Sequence, residues 1–379
     1  IYRHAYTGER MDTQGSIKGR AVLALGLVLL VSSCGGGSGG GGGSGGNDPT
    51  PGGGSSGWLI PASEVVDGGP GKDGIPAIDE PNFESASTIS SVAPDTLVVV
   101  TRYNDQVKAY PHDIMDWHEI VNDGSTDDPF SVSYCPLTGS AVAWNGDANQ
   151  FRRSYGVSGL LYNSNLIIYD RQTDSHWSQM LELAVEGQRR GETPDKIQVV
   201  EMTFDTLRQM YPNADVMTRE TGWQNSRDYD RYPYGFYLSH EGLLFPVEPV
   251  DNRLNLKSRV IGVRNQADSK VFQLDGFGPT TQAINDQIGS LSFVAVGNTD
   301  LDFAAIYDRE LDDGSILAFT PLQDDLPNVM TDDEGNVWDI FGRATAGPRT
   351  GTQLKKTDSY TAFWFAWAAF FPDPQIHFN

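Results

Sequence analysis

The pattern of apolar and polar positions changes character three times along this 379-residue chain. A short apolar run from Ala21 to Val31 follows Lys18 and Arg20 and ends at Val31-Ser32-Ser33-Cys34. The stretch 35–57 is dominated by glycine, serine and proline, a composition that makes a flexible tether and no core. From 58 to 94 the prolines at 61, 70, 76 and 81 interrupt every period, which predicts an extended lead-in. Regular periodicity begins near Asp95 and continues to the last residues.

Within that periodic part, 97–102 and 106–110 flank a Tyr103-Asn104-Asp105 turn and predict a hairpin. Asp113 reads as the N-cap of a helix that stops before Gly124. On it Ile114, Trp117, His118 and Val121 recur at helical spacing and share one face. The segment 130–135 alternates strictly, with Phe130, Val132 and Tyr134 on one face and Ser131, Ser133 and Cys135 on the other. Pro136 cannot donate to a ladder and ends the strand, and Thr138-Gly139 turns the chain into 141–144. Further strands are expected over 152–158, 160–170 and 176–179, and a short helix over 204–210, closed by Tyr211-Pro212. The run 363–371, FWFAWAAFF, is too short to span a bilayer and is expected as a buried helix or strand.

The second half of this pattern repeats the first. Arg102 and Arg264 lie 162 positions apart, Trp177 and Trp338 161, and Tyr211-Pro212-Asn213 and Phe371-Pro372-Asp373 160. AVAWN at 141–145 matches AAIYD at 304–308. The expected class is therefore α+β and β-rich, with two tandem repeats of mixed strands and short helices packed together. The divisions that follow are a leader over 1–34, the tether over 35–57, the lead-in over 58–94, repeats over 95–217 and 257–379, and a connector over 218–256. On this alignment His118 faces Thr281, Cys135 faces Asn298, Arg171 faces Asp332 and His176 faces Val337, so these four groups occur in one copy only.

Charge and cysteines narrow the function classes. With 27 basic and 50 acidic residues the chain carries a net charge of -23, so no nucleic-acid partner is expected. The segment from Met11 to Cys34 has the basic start, apolar middle and small-residue end of a signal peptide. Its last four residues resemble a bacterial lipoprotein cleavage box, which implies lipidation of Cys34 and residence in the cell envelope, extracytoplasmic and attached to the membrane. Cys135, the other of the two cysteines, then has no partner in the chain.

The motifs DGIPAID at 73–79, HEIVND at 118–123, YCPLTGSAVAW at 134–144, YGVSGLLYNSNLIIYDRQTDSHWSQ at 155–179 and FWFAWAAFFPD at 363–373 resemble the bacterial and archaeal family called domain of unknown function 3179. The resemblance runs from about residue 70 to the end of the chain and implies no activity. The chain departs from the pattern at 143–147, where the family has an Asp-Arg pair after the aromatic residue.

A candidate site follows from one-copy residues and motifs together: His118, Cys135, Asp170, Arg171 and Gln179 in the first repeat. Cys135 is a nucleophile, a metal ligand or a redox thiol if a neighbour such as His118 or Arg171 lowers its pKa, and an inert buried residue otherwise. A transition-metal set would draw on Cys135, His118 and His176, although no metal-binding spacing is present. Asp170-Arg171 either holds a ligand carboxylate or phosphate or forms a local ion pair. The expected roles are thus thiol-dependent catalysis or binding of a metal or small molecule, against a non-catalytic surface or assembly module.

Overall fold

Short runs of β-branched and aromatic residues, separated by Asn, Asp and Gly turns, fold here into small antiparallel sheets. The computed structural model describes residues 57–146 and 154–378. The leader, Cys34 and nearly all of the tether lie outside them. In the lead-in are strands β1 (Val65–Asp67) and β2 (Phe83–Ser85). Next come β3 (Leu97–Tyr103), β4 (Gln106–Pro111), helix α1 (His112–His118), β5 (Ile120–Gly124), β6 (Pro129–Cys135) and β7 (Ser140–Asn145). Then follow β8 (Tyr155–Tyr162), β9 (Asn165–Asp170), β10 (His176–Ser178), β11 (Leu183–Glu186), β12 (Lys196–Ile197), β13 (Val199–Thr203), α2 (Phe204–Met210) and β14 (Asp215–Met217).

After the connector, β15 (Arg259–Asn265), β16 (Asp268–Gln273), β17 (Gln282–Ile288), β18 (Leu291–Asn298) and β19 (Phe303–Asp308) form hairpins. They are followed by β20 (Phe319–Pro321), β21 (Asn328–Asp332), β22 (Val337–Asp339), β23 (Ala344–Ala346), β24 (Asp358–Phe363), α3 (Trp364–Phe370) and β25 (Gln375–His377). The sheets run β13-β3-β4-β14-β2, β12-β7-β6-β5 and β1-β8-β9-β10-β11, then β24-β15-β16-β25, β17-β18-β19 and β20-β21-β22-β23. Neighbours are antiparallel except β14 on β4 and β25 on β16, where a short helix carries the chain back to a parallel strand.

Two local expectations are corrected. The helix expected to run towards Gly124 stops at His118, because Glu119 turns left-handed with φ 59° and the β-branched Ile120 and Val121 pair with β6 instead. The single strand expected over 160–170 is a hairpin, turned at Asn163 and Ser164 with φ 48° and 62°. The two faces of 130–135 divide between two cores. All of β6 is buried: Cys135 joins a core with Trp144, Trp177 and Trp367, while Phe130, Val132 and Tyr134 enter another with Tyr110 and Ile114.

The cores are shared across the length of the chain. All seven residues of α3 are buried among Ile120, Trp144 and Tyr155 of the first half. In the same way Phe204, Leu207 and Met210 of α2 lie with Phe303 and Trp338 of the second. Ion pairs cross between the halves as well. Arg102 reaches Asp339 at 2.6 Å and lies over the Tyr211 ring, and Arg264 reaches Glu182 at 3.1 Å and lies over the Phe371 ring.

Among the described glycines the closest approach to an aromatic ring is at Gly262 of β15, where an added Cβ would stand 2.2 Å from the Trp367 ring of α3. Burying a tryptophan flat against a strand requires a residue with no side chain at that point. Gly262→Ala is therefore expected to destabilise the protein by about 1–3 kcal/mol through overpacking, measured as a lowered denaturation midpoint in urea. An unchanged midpoint would show that α3 can move away at little cost.

Candidate functional site

The polar motif residues spend their hydrogen-bonding capacity on one another. Gln179, just after β10, donates through Nε2 to Ser133 Oγ and the Ser140 carbonyl, both at 3.1 Å. Its Oε1 accepts from Ser140 Oγ at 2.8 Å and Asn165 Nδ2 at 2.7 Å. Asn165 also donates to Thr138 Oγ1 and accepts from the Met180 amide. One fully satisfied amide network thereby ties β6 and β7 to the β9–β10 sheet.

Cys135 ends β6 beside this network and is 1% exposed. Its thiol donates weakly to the Ser164 carbonyl at 3.9 Å. Burial, reinforced by the Glu119 carboxylate, pushes its pKa up to about 11. Thiolate chemistry needs the opposite shift.

His118 has both ring nitrogens engaged elsewhere. Nδ1 lies 2.7 Å from the Pro76 carbonyl, an acceptor only, so it carries the hydrogen. Nε2 then accepts from the Tyr229 hydroxyl at 2.7 Å, and Tyr229 bonds in turn to Thr221. Burial holds the ring neutral, its pKa lowered to about 4. No hydrogen bond joins His118 to Cys135 among the described residues.

Asp170 accepts from the Thr173 amide and hydroxyl and from Trp177 Nε1 at 3.0 Å, a turn-and-indole clamp. Asp332 does the same for its own hairpin, accepting from the Glu334 and Asn336 amides and from Trp338 Nε1 at 2.8 Å. Asp170 thus has a working equivalent in the second half. The sequence alignment, one residue out of step there, had set Asp332 opposite Arg171. Arg171 pairs with Asp79 of the lead-in at 2.6 Å, not with Asp170. Asn122 donates to the same carboxylate, so this pair fastens DGIPAID to β5. His176 bonds Glu186 at 2.8 Å and stacks on Trp58. Of the five residues expected to share one pocket, Cys135 and Gln179 are thus neighbours, whereas His118, Asp170 and Arg171 are each bonded elsewhere. Among the described residues no three His, Cys, Asp or Glu side chains converge as metal ligands, so the set Cys135, His118 and His176 is not assembled.

Two features escaped the sequence reading. The first is a buried ionisable cluster where the halves meet. His112 opens α1 with its ring 4.1 Å from that of Tyr134 and Nε2 3.8 Å from Glu201. Glu201 and Asp302 share Arg259 of β15, at 3.1 and 2.6 Å. Burial lowers the His112 pKa to about 3, so its contact with Glu201 is dipolar at neutral pH. Burial also raises Glu201 and Glu119 to about 7. Glu119 receives the Tyr234 hydroxyl at 2.9 Å. The available signal was His112 and Asp116 at helical spacing on α1, with Glu119 just past its end.

The second is a trough at the seam. Clefts of about 280 and 440 Å³ share Asp195, Lys196, Ile197, Gln198 and Lys356 as lining. Lys196 is paired with Glu182 and Asp358, Lys355 with Asp312, and Lys356 donates to the Lys196 carbonyl. Asn145, Gln198, Gln353, Thr357 and Ser359 line the trough beside the Tyr103 and Phe341 rings, and Gln198, Gln353 and Thr357 donate to the carbonyls of Val199, Phe341 and Ile306. Amides, hydroxyls and ring edges of this kind suit a polar ligand of low net charge.

The buried carboxyls dictate a pH dependence. A carboxyl raised from 4.5 to about 7 stabilises the fold fully below pH 4.5 and loses that contribution as pH rises through 7. The lowered histidines stabilise fully above pH 6.5 and lose it as pH falls towards 4. Glu119→Gln should therefore gain on the native protein by up to about 3 kcal/mol between pH 4.5 and pH 8, read from urea unfolding at both pH values. Parallel stability curves would place the Glu119 carboxyl outside the buried cluster.

No match was found among curated proteins or solved structures. A family model, described as a protein of unknown function (DUF3179), matches residues 72–374, from the lead-in through α3. This chain belongs to that family.

Proposed function

We propose that this is a lipid-anchored envelope protein whose folded body is a non-catalytic binding module made of two tandem repeats. The observation that carries the reading is the fate of the motif residues. The thiol is buried and held protonated, and the polar atoms of Gln179, Asp170 and His118 are used to join strands. A catalytic constellation needs groups that are free to meet a substrate.

The repeat reading, with its boundaries at 95–217 and 257–379, is supported by equivalent devices in both halves. They are the Asp-to-indole clamps of Trp177 and Trp338, and the guanidinium groups of Arg102 and Arg264 laid over Tyr211 and Phe371. In this reading the seam between the repeats is the binding surface, with the trough around Gln198 as its floor. The membrane anchor rests on the signal-peptide pattern and on Cys34 at its end.

Two measurements test this. A thiol reagent should leave Cys135 unlabelled for hours at pH 7.5, label it rapidly in denaturant, and show no change with His118→Ala under conditions where that variant stays folded. Fast labelling of the native protein would restore the active-site reading. Metabolic labelling with a fatty acid should mark the protein and fail in Cys34→Ser; equal labelling of both would remove the anchor.

A further inference from the structure

Apolar side chains normally turn inward, yet in the connector Phe236 is 87% exposed, Leu244 54% and Leu238 41%. The loop presenting them is tightly held. Lys257 Nζ donates to the carbonyls of Tyr237, His240 and Gly242 at 2.5, 2.5 and 2.8 Å. Tyr237 donates its hydroxyl to the Leu137 carbonyl at 2.7 Å. Tyr234, Tyr237, Leu243 and Phe245 pack on the main core, so the neighbouring apolar side chains are turned outward. Apolar groups displayed together on an ordered loop mark a contact surface.

Where the loop sits suggests what it contacts. Ser164 Oγ donates to the Phe245 carbonyl and the Glu248 amide to Asn163, which fastens the loop to the β8–β9 turn. The lead-in enters on the same sheet, where the Leu59 amide donates to the Val185 carbonyl of β11. β11 and β9 are two strand spacings apart, and four residues separate the His176 register from Asn165. The two places are thus roughly 17 Å from one another by strand geometry. A Gly/Ser-rich stretch as long as 35–57 has an end-to-end distance of about 25 Å, so a chain acylated at Cys34 can bring the loop to the same bilayer. Although the whole chain is strongly acidic, 231–240 holds Arg231 and His240 and no acidic residue. From Phe236 to Leu244 the one acidic residue is the exposed Glu241.

We propose that Phe236, Leu238 and Leu244 insert into the interfacial layer of the membrane that carries the anchor, and so fix how the body faces that membrane. This rests on the reading of Cys34 as an acylation site. Aromatic and leucine side chains beside a basic residue are the usual means of interfacial insertion.

The test uses the full acylated chain in phosphatidylcholine vesicles, with a polarity-sensitive fluorophore on Phe236→Cys in a Cys135→Ala background of native circular dichroism. The expected result is a blue-shifted emission, quenched several-fold by lipids carrying a nitroxide near the headgroup, and abolished by Leu238→Asp with Leu244→Asp. Water-like, unquenched emission from chains that float with the vesicles overturns insertion alone and leaves the loop to a protein partner. Failure of the anchor is read separately, by mass and flotation: a chain that acquires no acyl group overturns both readings.

Discussion

The structure depends on guanidinium groups that cross between its halves in partly desolvated surroundings. Arg102, Arg259 and Arg264 each leave one half to meet carboxylates of the other, and Asp339, Glu201 and Glu182 are almost fully buried where they receive them. A carboxylate at that depth is costly unless it is paired, so each half in isolation would expose or strand charges that the other neutralises. The helices add to the same constraint. α3 fills a core lined by first-half residues and α2 one lined by second-half residues, which makes the described body a single folding commitment.

That constraint explains the chemistry of the motif residues. Sheet β12-β7-β6-β5 is covered on both faces, because one face of β6 meets α1 and the other meets the residues around α3. A cysteine at its end is then enclosed whatever its sequence neighbours. Enclosure raises its pKa, and the Glu119 carboxylate raises it further. The serines beside it serve as acceptors and donors for Gln179. Motifs whose polar atoms bond one another in this way meet a demand for one packing arrangement.

Much of the local structure was legible in the sequence. The hairpin at Asn104-Asp105, the strand ending before Pro136, the helix at Phe204–Met210 and the β-rich class all follow from period, turn residues and proline. The errors share a cause. The helix was carried past Glu119 and the strand past Asn163 because both turns use non-glycine residues in the left-handed region, whose cost only tertiary contacts can offset. The partners of the candidate residues were not legible, for another reason. Sequence comparison of the halves picks out residues without a counterpart, and that says nothing of where a side chain's partners lie. Asp170 found Trp177, Arg171 found Asp79 and His118 found Tyr229.

By itself the sequence determined the order of elements, the acidic surface, the family and the motif that ends in Cys34, because periodicity, composition and local signals need no third dimension. Only the tertiary structure decided whether Cys135 could ionise, where His112 and Glu201 would meet, and that Phe236 would stand in solvent. Each of these depends on what the far half of the chain brings to the same point, and no local pattern encodes that.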